Sequence, residues 1–513
     1  MTSDNLIDVE YKRYPSDNIF DWYDTIHYGM YKPLKWQLPL FETLAHAEEG
    51  HLSRLMISAP PQHGKTELLV NTFLSYYLAN HCNDKVIVTA YSEARATKYG
   101  TWIRDILKQF REQTLFKPKL KQDFQRKNNF MFDKPYSGEL IATGSHGAIM
   151  GNPANVILID DPIKELKEAQ SPTMQSDLRE WYYTTIDTRL RKRYRKYQKA
   201  LPPLLIVVAQ RLDMFDLQGI ILEEEPSIDG KEALQKLRNG ERIPDDVWVE
   251  MNFPSLSFGE KEDILNRPVD TPLWSMHRNY NDLQSIRNRL GSYRFNLVYQ
   301  GVPSEREGTY FKREWFYDEN NNLTCLKRLD EVPIHVQSRK VRSYDLAAVS
   351  KPKNVKNADE VAGALTSNDP QKEELIVYDI LNGKFTGSQL LNLLKRTIKK
   401  DGRSVITNIE QEGASQSVLF LEQLQEEMKY YKILSHKPVG SKIYRSLELQ
   451  ALCETGRLKF VTDGRDIRWI IKAVEQLISF DGSDSTRKRH DDIVDSLSAS
   501  ANYWLLENKK PTI

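Results

Sequence analysis

The sequence predicts an α/β protein with two domains separated by a segment of weaker pattern. In two regions, about 35–217 and 334–506, short apolar runs alternate with helical patterns, which is typical of α/β folds. Hydrophobic residues make up 40% and aromatic residues 10% of the 513 residues, which is enough for buried cores and excludes a disordered chain. We predict a first domain over 1–217, a lid or linker segment over 218–333 and a second domain over 334–513.

The first domain contains four apolar runs of strand length. Each run is continuous and is bounded by turn or charged residues, which favours parallel strands buried on both faces of a sheet. The predicted strands span 55–57, 86–90, 156–159 and 204–209, and the predicted helices include 66–79 and 92–110.

The second domain begins with three predicted strands in quick succession, and helices and a further strand follow. This order predicts a mixed sheet. The predicted strands span 341–346, 360–366, 374–380 and 404–410, and the predicted helices span 387–400, 414–429, 445–455, 466–479 and 491–506.

Composition excludes several classes of protein. The 72 basic and 71 acidic residues exclude a histone-like polycation but allow a nucleic-acid enzyme with local basic patches. Mean hydropathy is −0.58, no apolar run approaches the ~20 residues of a membrane span, and the N-terminus shows no signal-peptide pattern. The three cysteines lie far apart, which indicates a reducing compartment, and the ten histidines show no spacing such as HxxxH.

A predicted phosphate-binding loop follows the first strand and opens a helix. Backbone N–H groups of such a loop hold phosphates, its lysine reaches the β- and γ-phosphates, and the hydroxyl after the lysine binds Mg²⁺. A chance Gly-Lys-Thr is the alternative, and the strand before the loop and the helix after it argue against that. The loop consists of Ala59, Pro60, Pro61, Gln62, His63, Gly64, Lys65 and Thr66, with Ala59 in place of the first glycine.

Residues elsewhere in the first domain complete a predicted ATP site. Asp160 and Asp161 follow an apolar strand; we expect the first to hold Mg²⁺ and the second to polarise the attacking water, with an ordinary acidic turn as the alternative. Gln210 ends the next strand and is placed to sense the γ-phosphate. Trp36 and Gln37 are candidates for adenine contacts, and a packed aromatic side chain is the alternative.

Acidic residues at two strand ends and one helix start predict a second, metal-dependent site. Such a set holds two divalent ions, one activating water and one stabilising the leaving oxygen of a phosphodiester. Carboxylate ligands favour Mg²⁺ or Mn²⁺. Singly, these acids fit surface or helix-start positions, but the ordered set favours a metal site. The predicted ligands are Asp345, Glu410, Asp491 and Asp492, and the weaker candidates are Glu412 and Asp495.

Two basic segments are candidates for contact with nucleic acid. Residues 189–199 contain seven basic residues in eleven, with two tyrosines, and residues 485–490 precede the acidic pair. Such segments bind a phosphate backbone without sequence preference. A solvated hairpin tip is the alternative for 189–199.

Taken in order, these motifs resemble those of the large terminase subunit of tailed double-stranded DNA bacteriophages. They cover nearly the whole chain. The matching pieces are WQ, APPQHGKT, ILIDDP, DTRL, VAQRLDMFDL, LVYQGVP, YDLA, IEQEG and HDDIVDSLSAS.

The resemblance implies an N-terminal P-loop ATPase domain of the ASCE, RecA-like class, a small lid, and a C-terminal RNase H-like nuclease domain. It implies ATP-driven translocation of viral double-stranded DNA into a procapsid and cutting of concatemeric DNA. The implied cofactors are ATP with Mg²⁺ at the first site and two Mg²⁺ or Mn²⁺ ions at the second. The implied partners are double-stranded DNA, a small terminase subunit, the procapsid portal protein and further copies in a pentameric ring, with no membrane. The implied location is the host cytoplasm, transiently at the portal vertex, and not the mature virion.

The resemblance also assigns roles to single residues. Lys65 and Thr66 match the phosphate lysine and the magnesium hydroxyl, and Gln210 matches the coupling motif. Asp160 and Asp161 match the metal and catalytic carboxylates. The second-domain acids match the nuclease ligands, with either Asp491 or Asp492 bridging the two ions.

The chain departs from the family in its arginines. Gln62 and His63 occupy the stretch where many relatives have an arginine in the phosphate loop, and the turn at 150–153 lacks one as well. The arginine finger is therefore sought among Arg95, Arg104 and Arg126, acting in the same chain or on a neighbouring subunit.

Two other functions compete with this interpretation. A helicase–nuclease of repair or defence would carry a second RecA-like domain with arginine motifs, whereas the second region carries carboxylates. A non-catalytic, DNA-binding ATP switch would require the acidic set to be coincidental, and a cleavage assay separates this class from a terminase.

Overall fold

The structure of the chain, a computed structural model, divides into two compact units. One unit comprises Met1–Gln284 and Phe295–Ser304, and the other comprises Ser285–Arg294 and Glu305–Ile513. The structure describes residues 14–145, 147, 149, 151–195, 200–303, 310–346, 361–385, 387–410, 415–438, 440–464, 467–480 and 491–508.

The first unit is built on a nine-stranded sheet. Its strands are β1 (Arg54–Ser58), β2 (Lys85–Ala90), β3 (Leu120–Gln125), β4 (Asn129–Phe132), β5 (Glu139–Gly144), β6 (Val156–Asp160), β7 (Leu204–Ala209), β8 (Ser227–Asp229) and β9 (Trp248–Asn252). The order across the sheet is β3-β4-β5-β2-β6-β7-β1-β9-β8. Seven strands run parallel, and the β3–β4–β5 edge is antiparallel. The predicted parallel strands are present, and the antiparallel edge is an addition to them.

Helices cover both faces of this sheet. Within β1, Leu55 and Ile57 join one hydrophobic cluster, whereas Met56 joins a second one. Because side chains alternate along a strand, this means that both faces are buried, as predicted. The α-helices of the first unit are α1 (Ile19–Ile26), α2 (Leu38–Glu49), α3 (Leu74–Asn80), α4 (Glu93–Gln109), α5 (Leu166–Ala169), α6 (Pro172–Glu180), α7 (Leu217–Glu224) and α8 (Gly230–Arg238). Helices α9 (Tyr280–Leu290) and α10 (Ser292–Phe295) each include residues of both units.

The second unit is built on a seven-stranded mixed sheet, as the sequence predicts. Its order is β10-β16-β13-β12-β11-β14-β15, and only β12 runs antiparallel to its neighbours. The strands are β10 (Leu326–Arg328), β11 (Val341–Asp345), β12 (Val361–Asp369), β13 (Glu374–Gly383), β14 (Ile406–Glu410), β15 (Ile433–His436) and β16 (Leu458–Thr462). The helices are α11 (Ile334–Gln337), α12 (Gly387–Asp401), α13 (Ser415–Glu427), α14 (Lys442–Glu454), α15 (Arg468–Ser479) and α16 (Asp492–Asn508).

Residues 218–333, predicted as a lid or linker, are shared between the two units. Strands β8 and β9 extend the first sheet beside β1, whereas β10 pairs with β16 of the second sheet. The boundaries at 217 and 333 were predicted for functional domains, and they stay predictions. None of the helices within the described residues combines the length and the apolar character that a membrane crossing requires.

Candidate active sites

The phosphate-binding loop joins β1 to a helical segment that starts π-helical (Glu67–Phe73) and continues as α3. The loop turns through two residues with positive φ, Gln62 at 62° and Gly64 at 83°. Glycine suits the second position because other side chains are strained there. The buried Lys65 ammonium group donates to the Ala59 carbonyl at 2.5 Å, and burial lowers its pKa. The loop therefore curls around its own lysine at the start of a helix.

Asp160 lies at the C-terminal end of β6, beside the loop. Its side chain is fully buried, and its Oδ2 atom accepts hydrogen bonds from Thr66 Oγ1, at 3.1 Å, and from the Tyr99 hydroxyl. Its Oδ1 atom has no hydrogen-bond partner among the described residues. Burial, followed by repulsion from Asp161, raises the pKa of Asp160 to about 6. A buried, partly unsatisfied carboxylate next to a threonine hydroxyl fits a divalent cation.

Asp161 and Gln210 meet where β6 and β7 end. Asp161 has a φ of 44°, and its Oδ1 atom accepts a hydrogen bond from the Gln210 backbone N–H at 3.2 Å. Since β7 lies between β6 and β1, the ends of three neighbouring strands carry the loop, Asp160 and Gln210 on one edge. The sheet thus brings together the residues predicted for the first site.

Arg95 reaches the same two carboxylates from α4. One of its terminal nitrogens lies 3.9 Å from Asp160 Oδ2 and 3.9 Å from Asp161 Oδ2, and its Nε donates to the Tyr99 hydroxyl at 2.5 Å. The other arginine candidates lie elsewhere. Arg104 pairs with Asp105 at 2.8 Å, and Arg126 is exposed. No sequence motif points to Tyr99, but its position on α4 one turn after Arg95 places both side chains on one helix face.

Trp36 and Gln37 pack beneath the loop rather than at its surface. Trp36 is 1% exposed and contacts the rings of Phe253 and His63 edge-on. Gln37 is also buried, and its Oε1 atom accepts from the Leu34 N–H at 2.8 Å. This geometry favours the packed-aromatic alternative, and the adenine contact stays a prediction.

Four carboxylates converge in the second unit. Asp345 ends β11 and Glu410 ends β14, and these strands are parallel neighbours. Asp492 and Asp495 lie on the first turn of α16, and both are buried. Burial and then the charges of Asp495, Glu410 and Asp492 raise the pKa of Asp345 well above its usual value. Mutually repelling buried carboxylates of this kind fit divalent cations.

Two cations of α14 face these acids. The Lys442 Nζ atom lies 2.7 Å from Asp491 Oδ2 and 2.9 Å from Asp495 Oδ2. Arg445 pairs with Glu410 and lies 3.8 Å from Asp495 Oδ1. The side chain of Asp491 is 26% exposed, whereas that of Asp495 is 5% exposed. Asp495, a weaker candidate from the sequence, is the carboxylate whose charge acts most strongly on Asp345. A cavity of about 440 Å³ opens beside Glu410 and Asp495.

Much of the described part of the first basic segment is structural. Arg193 is fully buried and donates to the carbonyls of Pro202 at 2.7 Å and Glu48 at 3.1 Å. Arg195 pairs with Asp84 at 2.9 Å. Arg191 and Lys192 are exposed and stay candidates for DNA contact. Residues 196–199, 485–490 and Glu412 lie outside the described residues.

Two family models match the chain, one in each unit. The model described as the N-terminal part of the T4likevirus-type terminase large subunit matches residues 56–212. The model described as the terminase RNaseH-like domain matches residues 377–503. The two ranges together span more than half of the sequence. No curated protein matches the chain.

Several solved structures are similar to the chain at low identity. The large terminase of a thermophilic bacteriophage is 10% identical, with a TM-score of 0.48 over 91% of this chain and 98% of that one. The large terminase of bacteriophage HK97 is 10% identical, with a TM-score of 0.34 over 96% of this chain and 100% of that one. The large terminase nuclease of thermophilic phage G20c, with bound magnesium, is 18% identical, with a TM-score of 0.23 over 32% of this chain and 81% of that one.

Proposed function

The chain belongs to the large terminase subunit family, and on that premise we propose that its first site hydrolyses ATP to drive viral double-stranded DNA into a procapsid. The family acts in DNA packaging, and ATPase and endonuclease activities are typical of it. We propose further that the second site cuts concatemeric DNA. The mixed second sheet, with β12 antiparallel between β11 and β13, argues against a second RecA-like domain and therefore against a helicase–nuclease.

The arrangement around Asp160 carries the ATPase proposal. The loop N–H groups and Lys65 would hold the phosphates of ATP, and Thr66 with the free Oδ1 atom of Asp160 would hold Mg²⁺. When bound, Mg²⁺ neutralises charge on the phosphates. Asp161 would orient water, and the hydrogen bond from the Gln210 backbone N–H to its Oδ1 atom supports this role. The positive charge of Arg95 offsets the negative charges of Asp160 and Asp161.

Replacing Lys65 tests the ATPase assignment. We expect Lys65→Ala to lower ATP hydrolysis by at least about 100-fold, since one preorganised charge contributes roughly 10²–10³ in rate. Release of inorganic phosphate measures it, and circular dichroism checks the fold. The matched control is Lys108→Ala, which removes an exposed lysine of α4. Hydrolysis at the wild-type rate by Lys65→Ala would exclude this site.

The four converging carboxylates of the second unit carry the nuclease proposal. Asp345, Glu410, Asp492 and Asp495 would hold Mg²⁺ or Mn²⁺, and the adjoining cavity would admit a DNA strand. Two such ions activate water and stabilise the leaving oxygen of a phosphodiester. We expect Asp345→Asn to abolish plasmid cleavage in Mg²⁺ or Mn²⁺ and to leave ATP hydrolysis unchanged. Glu426→Gln, at an exposed position, is the control. Equal cleavage by wild type and Asp345→Asn would refute the assignment.

We propose the family's partners for this chain as well. These are double-stranded DNA, a small terminase subunit, a portal protein and copies of the chain in a ring, with the motor acting in the host cytoplasm and transiently at the portal vertex. The ATPase and nuclease units support this proposal because packaging requires both. A packaging assay with procapsids and linear DNA tests it, and protection of DNA from nuclease that requires both ATP and this chain is the expected result.

A further inference from the structure

Three metal-ligating side chains converge outside both proposed sites, where α2 leads into β1. The Nδ1 atoms of His46 and His51 lie 3.1 Å apart, and Glu49 Oε2 lies 3.4 Å from His51 Nδ1. The three ligand atoms all lie within 4.8 Å of one another. His46 and His51 are half-buried, and Glu49 is exposed.

The backbone holds these side chains together. Helix α2 ends at Glu49, and Gly50, with a φ of 84°, reverses the chain. The His51 N–H then donates to the His46 carbonyl at 2.9 Å, which closes the turn. The His51 carbonyl accepts from Ile243 N–H at 2.8 Å, so the turn is also tied to the segment before β9. The convergence is therefore a property of the helix end, and glycine is required there because other residues rarely adopt this φ.

We propose that His46, Glu49 and His51 bind one divalent transition-metal ion of the Zn²⁺ type. With metal–nitrogen distances of about 2.0–2.1 Å, two ligands of a tetrahedral ion lie roughly 3.3 Å apart. The observed separations of 3.1 and 3.4 Å are close to that value. Two imidazoles and one carboxylate prefer Zn²⁺, Ni²⁺ or Cu²⁺ to the Mg²⁺ expected at the other two sites.

The surrounding charges are compatible with an ion. Metal binding requires neutral imidazoles. Arg238, a cation whose charge acts on His46, is already paired with Glu42 through two contacts of 2.7 Å. Glu49 is therefore available to offset the charge of the ion.

A bound ion would join the end of α2 to the segment that leads into β1. Strand β1 carries the phosphate-binding loop at its other end, so the ion would stabilise the fold of the first unit. The helix end holds the three ligands together in the folded chain, so we expect an ion that binds the folded chain more tightly than the unfolded one to raise thermal stability. We assign the ion this structural role and no catalytic one.

Zinc titration of the full chain tests the proposal. The chain, dialysed against a chelator, is titrated with Zn²⁺ by calorimetry in excess Mg²⁺, which occupies the carboxylate sites. We expect one Zn²⁺ per chain and a higher Tm on binding. His51→Ala and Glu49→Gln should each weaken this binding roughly 10–100-fold or more, since even outer-shell partners contribute that much. His335→Ala, which removes an exposed histidine of α11, should bind as wild type does.

Each outcome of the zinc titration either supports the proposed site or overturns it. Binding that is lost in His51→Ala and kept in His335→Ala supports the site, provided that circular dichroism shows both variants folded. Stoichiometric binding that persists in both His51→Ala and His46→Asn would place the ion elsewhere and overturn the proposal. The absence of zinc binding by the wild-type chain would also overturn it and leave a hydrogen-bonded histidine pair.

Discussion

His63 lies within the phosphate-binding loop, and its surroundings determine how that loop responds to acid. The ring is 2% exposed, packs edge-on against Trp36 and Trp274, and contacts the Pro61 carbonyl at 2.8 Å. Burial lowers its pKa from 6.5 to about 4. Below pH 6.5 the unfolded chain therefore binds a proton at this position that the folded chain does not take up.

We predict that His63 contributes to acid destabilisation between pH 6.5 and 4. Stability rises with pH wherever the unfolded state binds more protons, so this contribution is lost as the pH falls through that window. For a buried group with such a shift it amounts to about 3 kcal/mol at most. The Tm of wild type should thus fall further than that of His63→Gln between pH 6.5 and 4.5, as measured by scanning calorimetry. Parallel Tm curves for the two proteins would contradict the prediction.

Arg193 provides a second prediction at the residue scale. Arg193→Ala leaves the carbonyls of Pro202 and Glu48 buried without their donor, at a cost of about 1–3 kcal/mol for each. We expect the Tm to fall by several degrees. The neighbouring Arg191→Ala removes an exposed charge and should leave the Tm unchanged while weakening DNA binding. A loss of stability in Arg191→Ala equal to that in Arg193→Ala would contradict this division.

At the scale of elements, helix α14 supplies the counter-ions of the second site. Lys442 and Arg445 are three residues apart and therefore lie on one helix face, toward Glu410 and Asp495. Among the described residues, no three carboxylate oxygens of this site lie within 4.8 Å of one another. Lys442 and Arg445 therefore lie among carboxylates that bound divalent ions would draw closer to one another.

We predict that Lys442→Met binds Mn²⁺ more tightly than wild type, by about tenfold, or about 1.4 kcal/mol. The ion then has no ammonium group to displace. Without metal, the same variant should have a lower Tm, because Asp491 and Asp495 lose their partner. Calorimetric titration and thermal melts measure the two effects, and Lys432→Met, at an exposed position, is the control. Weaker Mn²⁺ binding by Lys442→Met would show that the lysine assists the ion instead.

The sequence was most informative for elements whose pattern follows from burial. The central strands β1, β2, β6 and β7 are continuous apolar runs because both of their faces are covered. The edge strand β3 reads LKQDFQ and is largely exposed, so its hydrophobic pattern carries little signal. The residue at which α16 begins also determines which of its acids face the second site. The helix begins at Asp492, and its periodicity turns Asp495 inward, whereas the sequence pattern ranks Asp491 with Asp492 and above Asp495.

At the scale of the whole molecule, the question is which chain completes each ATPase site. On the sequence alone, Arg95, Arg104 and Arg126 are all candidates for action on a neighbouring subunit. The structure places Arg95 at 3.9 Å from both Asp160 and Asp161 of its own chain. We therefore propose that Arg95 serves its own site, which leaves Arg104 and Arg126 as candidates for action between subunits.

Mixing inactive variants in the assembled motor tests this assignment. We predict that Arg95→Ala and Lys65→Ala subunits, each inactive alone, stay inactive when mixed, because neither chain then has a complete site. If Arg104 or Arg126 acts on a neighbour, its alanine variant mixed with Lys65→Ala should regain DNA-stimulated ATP hydrolysis, since the Lys65→Ala chain still donates an intact arginine. Recovery in the Arg95→Ala mixture would show instead that the side chain leaves Asp160 and Asp161 and reaches across the ring.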